Sequence, residues 1–290
     1  MNPPASFSLM SYNIFLGGVG RMDAITAVVR ETAPDLLGIQ EADDEAAIAH
    51  LAQDAEMTYV YGRANLTHHI ALLSRFPLID STNHPHPGIM RKTLLEAHVR
   101  LPNGAPLLLF VTHLSASLTV LGERHRLREM EAILGTISDR IESPHLFLGD
   151  YNAIAPGDGL LMEGLTTHYA TRVRASRRDG TPRLHHRVRA FGAWLDRGLR
   201  DGREPPKTLL PRALVRRVLD TGYVDCYRAS HPTEPGYTFP ASDPAIRFDY
   251  IFAPPVMRPR LLTCDVVDLP AARSASDHRP VLARFALEAP

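Results

Sequence analysis

The stretch Leu146-Phe147-Leu148-Gly149-Asp150-Tyr151-Asn152 constrains this chain more than any other. Its apolar run reads as a buried strand, Gly149 is expected to break it, and a carboxylate and a carboxamide follow two residues apart. In an extended chain residues i and i+2 face the same way. Asp150 and Asn152 should therefore leave the end of a buried strand side by side. A polar turn after a strand is ordinary. The stretch gains weight because the same arrangement, an apolar run closed by a polar residue, recurs along the chain.

In order, Phe7 to Ile14 reads as a strand with Asn13 at its end, and Met22 to Arg30 as a helix, since Ile25, Val28 and Val29 recur at helical spacing. Leu36 to Ile39 is a buried strand with Gln40-Glu41 at its tip, and Ala46 to Ala52 is a short helix. Thr58 to Tyr61 and Ile70 to Ser74 are strands, and Arg75-Phe76-Pro77 turns into another. Leu94 to Arg100 and Leu107 to Thr112 form a hairpin about Pro102-Asn103-Gly104, with His113 closing the second arm. Leu118 to Ile141 is a long helix whose apolar side carries Leu121, Leu127, Met130, Ile133, Leu134 and Ile137. After Asn152 strand signals become sparse. Leu184, Val188, Phe191, Leu195 and Leu199 step at three or four residues and predict one helix, and Pro211 to Leu219 a second. Tyr237 to Phe239, Phe248 to Ala253, Leu261 to Val267 and Val281 to Phe285 are again strands, with Ser276-Asp277-His278 between the last two. Strands and helices that alternate early and strands that dominate late predict a layered α/β architecture with mixed sheets. No boundary splits the 290 residues, so one domain is expected, interrupted by an insertion at about 153–211.

Net charge is uninformative, at 32 Lys+Arg against 32 Asp+Glu, but its distribution is not. Residues 170–217 hold 14 Lys/Arg and 4 Asp/Glu, so an acidic body carries one basic segment. Cys226 and Cys264 could form one bridge at most, Met1 to Ser8 shows no secretory leader, and no apolar run spans a bilayer. These features read as a reduced, cytoplasmic chain.

Asn13, Glu41, His113, Asp150 with Asn152, Asp249, and Asp277 with His278 all follow or close apolar runs. Sites in α/β sheets form outside strand ends, where side chains of several strands converge. Four carboxylates brought together repel unless a cation neutralises them. Oxygen donors suit a hard cation, Mg2+ or Mn2+, rather than zinc. Histidines in the same cluster offer donors to a phosphate or a general acid/base. The combination points to phosphoryl chemistry. Singly, each residue has a plain structural role: Asn13 a strand-end cap, Glu41 a solvated acid, His113 a satisfied core histidine, Asp277-His278 a capping turn. Asp249 is the exception, because a carboxylate between Phe248 and Tyr250 is buried and must be paired.

The chain also resembles the endonuclease/exonuclease/phosphatase superfamily of DNase I-like fold. The resemblance runs in family order through Ser11-Tyr-Asn13, Gly38-Ile-Gln-Glu41, Ala71-Leu-Leu-Ser74-Arg75-Phe-Pro77, Thr112-His113-Leu114, Leu148-Gly-Asp150-Tyr-Asn152, Arg247-Phe-Asp249-Tyr-Ile251 and Ser276-Asp277-His278. It implies a four-layer α/β/β/α sandwich with two mixed sheets and metal-dependent phosphoester hydrolysis. Glu41 matches the principal metal ligand, with Asn13, Asp277 and Asp150 also at the metal. Asp150 matches the aspartate that orients or deprotonates the attacking water, and Asn152 its partner at the phosphate. His278 matches the histidine on the scissile phosphate, Asp249 the aspartate that orients it, and His113 a second histidine of part of the family. Arg91 or Lys92 is placed for a phosphate contact. His68-His69 stand where the family has a small or amide residue; they could contact substrate, but are expected to be exposed.

The insertion, basic but poor in aromatics, reads best as a helical cap beside the site. It would also suit a nucleic-acid backbone or an anionic membrane surface. No obligate protein partner is inferred. The expected function is cleavage of a phosphodiester, nuclease-like. The alternatives are a phospholipid head-group phosphodiesterase, a small-molecule or inositol phosphate phosphatase and, in another class, a non-catalytic scaffold on the same fold.

Overall fold

The computed structural model describes residues 5–288 apart from 118, 162, 166 and 169–210. Among them the strands are β1 (Ser6–Asn13), β2 (Leu36–Gln40), β3 (Thr58–Gly62), β4 (Ile70–Ser74), β5 (Leu78–His84), β6 (Leu94–Arg100), β7 (Pro106–His113), β8 (His145–Asp150), β9 (Val224–Asp225), β10 (Asp249–Ala253), β11 (Leu261–Val266) and β12 (Val281–Ala286). The helices are α1 (Met22–Thr32), α2 (Glu45–Asp54), α3 (Val120–Ile137), α4 (Ala213–Leu219), α5 (Cys226–Ser230) and α6 (Ala272–Ala275). The strands form two six-stranded mixed sheets, ordered β11-β12-β1-β2-β4-β3 and β5-β6-β7-β8-β10-β9. The parallel pairs, β1 with β2 and β7 with β8, lie at the middle of each sheet.

Alternation along the strands builds the layers. In β1, Phe7 and Leu9 enter the core between the sheets, while Met10 and Tyr12 face α1 and α2. In β8, Leu146 and Leu148 enter that same core while Phe147 packs under α3 and α4. A strand covered on both faces needs apolar residues at every position, which explains why the run at 146–148 is continuous. The helices follow their apolar stripes. Ile25, Val28 and Val29 bury α1 on the first sheet, and Met130, Ile133, Leu134 and Ile137 bury α3 on the second. Asp44 caps α2 by accepting the N–H groups of Ala46 and Ala47, and the Thr119 hydroxyl caps α3 by accepting that of Gly122.

The structure corrects the sequence at several points. Gly149 does not break its strand: β8 continues through it to Asp150. A Cβ at Gly149 would lie 1.9 Å from the Thr112 carbonyl oxygen, and its φ is +150°. Glycine is what lets β7 and β8 approach there, so it sustains the strand. Tyr237–Phe239 is no strand; only an isolated bridge joins Phe239 to Ile246. The long helix ends at Ile137, with one 3-10 turn at Ser138–Arg140, and Leu121 faces solvent at 74% exposure. The predicted helix over Leu184–Leu199, and most of the basic insertion, lie outside the described residues. Among the described residues no helix is long and apolar enough to cross a membrane. Cys226 and Cys264 are both buried thiols.

Candidate active site

Strand register brings the strand-end residues of the second sheet into one row. His113 on β7 is paired with Asp150 on β8, and Asp150 with Asp249 on β10. On the first sheet Asn13 is paired with Gln40, which puts Glu41 just beyond the end of β2. The turn before β12 delivers Asp277 and His278. All these ends meet at a cavity of about 260 Å3 lined by Glu41, His113, Asp150, Asn152, Asp277 and His278. Phe15, Leu66, His68, Arg91, Lys92, Phe239 and Phe248 are also in its wall.

A hydrogen-bond network ties the two sheets together here. The Asn13 side-chain N–H2 donates to Glu41 Oε1 at 3.3 Å and to Asp150 Oδ2 at 2.9 Å. Its Oδ1 accepts the Phe15 N–H at 2.9 Å, which fixes which way the amide points. Asn13 is thus both the strand-end cap and the clasp between two carboxylates. Glu41 Oε2 accepts the Leu16 N–H at 2.7 Å. Asp150 Oδ1 accepts the Asn152 N–H at 2.8 Å. Asn152 Nδ2 donates to the Leu114 carbonyl at 3.1 Å and lies 3.2 Å from His113 Nε2. That same Nε2 is 3.3 Å from Asp150 Oδ2. His278 donates from Nδ1 to Asp249 Oδ2 at 2.8 Å, which aims Nε2 towards Asp150, 3.8 Å away. Asp249 is therefore buried and paired, behind the cavity wall. Ser276 stitches the turn to β1 by donating from its hydroxyl to the Asn13 carbonyl at 2.6 Å. Arg247, quoted in a motif but given no role by the sequence, is fully buried. It donates from Nε to Asp158 and from its two terminal nitrogens to Asp225, anchoring the start of β10.

The electrostatics follow from burial and close charge. Burial disfavours the Asp150 anion, but His113, His278 and Lys92 around it hold its carboxyl well below the usual range, so it stays ionised. Burial likewise works against a charged His278, yet Asp249, Asp150 and Asp277 push it up to about 10. Burial also opposes the Glu41 charge, and His113 and His68 more than offset this, so its carboxyl sits below the ordinary value. His113 is pulled down by burial and by Lys92. Burial draws Lys92 down to about 8 against the pull of Asp150 and Glu41. Lys92 donates to the Leu114 carbonyl at 2.7 Å and forms no ion pair within 4.0 Å among the described residues. A buried ammonium without a carboxylate is costly, which suits it to an incoming anion.

Backbone strain concentrates at this cavity. Phe15 (φ +53°), Glu41 (+60°), His68 (+64°) and Asn152 (+48°) all line it in the left-handed region. Non-glycine residues adopt that region at a cost, and such residues cluster at functional sites.

The two histidines expected to be exposed are not. His68 lines the cavity with Nδ1 3.4 Å from Glu41 Oε2 and 3.2 Å from Asp43 Oδ2, and its ring centroid is 5.8 Å from that of His113. His69 is half-buried, and its Nδ1 accepts the Ala64 N–H. The only signal in the sequence was the pair's place just before β4. Arg91 lines the cavity from an exposed position and Lys92 from a buried one.

The donor set fits a hard divalent cation. Among the described residues Asp150, Asp249 and His278 offer donor atoms within 4.8 Å of one another. That trio is better explained without a metal, since His278 Nδ1 and Asp249 Oδ2 are spent on each other. The carboxylates facing the cavity are Glu41, Asp150 and Asp277, all oxygen donors, with Glu41 and Asp150 clasped by one amide.

Two six-stranded mixed sheets face to face, helices outside, and a carboxylate–histidine cluster at their shared end form an arrangement suited to phosphoester hydrolysis. The profile of the endonuclease/exonuclease/phosphatase family matches residues 10–278, and the chain belongs to that family of phosphoester hydrolases. No curated protein sequence matches it. Solved structures share the fold. An endonuclease/exonuclease/phosphatase from Beutenbergia cavernae superposes with a TM-score of 0.68 at 18% identity, covering 98% of this chain and 72% of that one. An AP endonuclease from Archaeoglobus fulgidus gives 0.67 at 17%, covering 96% and 99%. A 3' phosphatase from Neisseria, bound to a product DNA hairpin, gives 0.65 at 19%, covering 96% and 99%.

Proposed function

We propose that this enzyme is a Mg2+- or Mn2+-dependent phosphodiesterase acting on nucleic acid. The observation that carries the reading is the convergence on one cavity of an ionised, doubly clasped Asp150, a carboxylate-backed His278 and the unpaired ammonium of Lys92. Glu41 would hold the cation with Asp277 and Asp150. When bound, the metal polarises the phosphoryl group and offsets charge on the leaving oxygen.

The protein's own groups supply the rest. Asp150 orients the attacking water and takes its proton as the new O–P bond forms and the ester O–P bond breaks. Its low pKa makes positioning its first contribution. Asn152 donates from its N–H2 to the Leu114 carbonyl, with His113 Nε2 3.2 Å from the same nitrogen, so its Oδ1 is the face an attacking water can use. His278, held as an imidazolium by Asp249, donates from Nε2 to a non-bridging oxygen and stabilises charge on the transition state. Lys92 and Arg91, which line the same cavity, meet the same phosphate. Phe15, Phe239 and Phe248 give the cavity aromatic walls for the sugar or base beside that phosphate.

One observation favours a second reading. Leu66 lines the cavity yet is 67% exposed, which would suit the apolar part of a phospholipid as the head group enters. A substrate panel with Mg2+ and Mn2+ separates the two: abasic DNA, single-stranded DNA, RNA, sphingomyelin, phosphoinositides and bis(p-nitrophenyl) phosphate. Nuclease activity requires turnover of a nucleic acid; turnover of sphingomyelin or phosphoinositide alone would establish the second reading instead.

A further inference from the structure

Beside the catalytic cavity a shallow groove runs between the loop before β6 and α3, lined by Gly88, Ile89, His125, Leu127, Arg128 and Glu131. We propose that this groove, with the outer face of α3, carries the flanking strand of a nucleic-acid substrate, its phosphates meeting Arg91, Arg128 and Arg124. The inference rests on the nuclease reading above and assigns the strand to a surface other than the basic insertion.

One residue, Glu129, contacts the linings of both the groove and the cavity. Arg91 lines the cavity, and its backbone N–H donates to Glu129 Oε1 at 3.4 Å. The same oxygen lies 3.3 Å from Nε2 of His125, which lines the groove. This carboxylate is fully buried, and its two shortest hydrogen bonds, at 3.0 and 2.8 Å, are to the N–H and hydroxyl of Ser115.

The charge on this surface is positive. Arg124 and Arg128 are exposed, stand one helical turn apart, about 6 Å along α3, and make no ion pair within 4.0 Å among the described residues. The groove's exposed acid, Glu131, is neutralised by Arg217, which donates to it at 2.6 and 3.1 Å. Glu129 is spent on the N–H and hydroxyl of Ser115. Exposed arginines with no ion pair among the described residues then flank a phosphate-directed pocket, the electrostatic pattern a polyanionic strand recognises.

The floor is apolar. Ile89 is 42% exposed and Leu127 half-buried, which gives sugars and bases a surface between the phosphate contacts. A bilayer would meet the protruding Leu121, at 74% exposure, rather than the half-buried Leu127 in the groove.

The test is binding of a fluorescent single-stranded oligonucleotide to the full chain in Ca2+ between about 50 and about 200 mM salt. Arg124→Ser and Arg128→Ser should each lower the slope of log K against log salt by about 0.7, and together by about twice that. An unchanged slope in the double variant overturns the proposal. So does a result in which the double variant loses binding to phosphatidylserine vesicles while its oligonucleotide slope stays intact. Circular dichroism confirms that these exposed replacements fold. Hydrolysis of bis(p-nitrophenyl) phosphate, which needs only the cavity, scores the catalytic reading separately. A wild type that cleaves neither it nor any nucleic acid of the panel refutes that reading, while the oligonucleotide slopes still decide the groove.

Discussion

The two sheets contribute to the cavity in different ways. On the second sheet, His113, Asp150 and Asp249 occupy neighbouring strands, are aligned by ladder register and are almost fully buried. On the first, Glu41 and His68 stand beyond the strand ends, half-buried, in left-handed backbone held by surrounding loops. The first sheet's own strand-end residue, Asn13, reaches across to clasp both sides. Register fixes a side chain to within the rigidity of the sheet, whereas a loop holds it only as firmly as its local hydrogen bonds. The register-held side therefore suits the water chemistry of Asp150, which tolerates little displacement, and through Asp249 it also fixes His278, which the turn before β12 delivers. The loop-held side suits a cation, whose binding can reorganise its ligands.

The sharpest way to break this contrast is to compare one carboxylate from each side. Asp150→Asn keeps the shape but removes the charge that orients water, and its single acceptor oxygen can serve only one of the two donors, Asn13 and the Asn152 N–H. Hydrolysis of the best panel substrate should fall about 10^3–10^4-fold, and added Mn2+ should not restore it. Glu41→Gln should weaken Mn2+ binding by about 10–100-fold, and raising the metal should recover most of kcat. Titration calorimetry with Mn2+ and steady-state kinetics across metal concentrations decide the matter. If metal rescued Asp150→Asn as fully as Glu41→Gln, both carboxylates would be doing the same job and the division between the sheets would be wrong.

Gly149→Ala tests the register itself. The new Cβ would meet the Thr112 carbonyl at 1.9 Å in backbone that side chains rarely adopt. We expect a loss of about 3 kcal/mol in urea unfolding, from strain together with a displaced strand pair. Activity should fall in the folded fraction too, because His113 and Asp150 would shift relative to each other. A stable variant with wild-type kinetics would show that register does not position this side.

The contrast also explains what the sequence could reveal. Residues placed by strand ends were legible, since an apolar run followed by a polar residue announces both the strand and the side chain that leaves it: Asn13, Glu41, His113 and Asp150; Asp249, at the start of β10, was announced instead by its apolar neighbours. The layered α/β architecture with mixed sheets was legible in the order of strands and helices, whereas the sandwich of two sheets was implied by the family resemblance of the motifs. His68 was not, because a loop residue carries no period, and nothing local distinguishes a histidine folded back against Glu41 and Asp43 from one in solvent. Gly149 was misread as a breaker because its role depends on Thr112, thirty-seven residues away in sequence. Lys92 could not be told from Arg91 by type; burial separates them.

That burial yields the smallest expected effect, and it reads as a pH dependence. Burial lowers the Lys92 pKa to about 8 from an ordinary value of 10.5. Between those values the unfolded chain binds more protons than the folded one, so stability rises with pH across that window and the penalty is fully present below pH 8. Lys92→Met should remove about 2 kcal/mol of the rise between pH 8 and pH 10. It should also melt higher than wild type at pH 7 without ligand. The same variant should bind inorganic phosphate more weakly, and wild type should gain more from phosphate in its melting temperature than the variant does. Urea unfolding at both pH values, with and without phosphate, measures all of these changes. A variant that loses stability at pH 7 while keeping phosphate affinity would make Lys92 a packing residue fixed to Leu114. The opposite outcome would show that this buried ammonium is kept, at a cost to the fold, for the anion it meets.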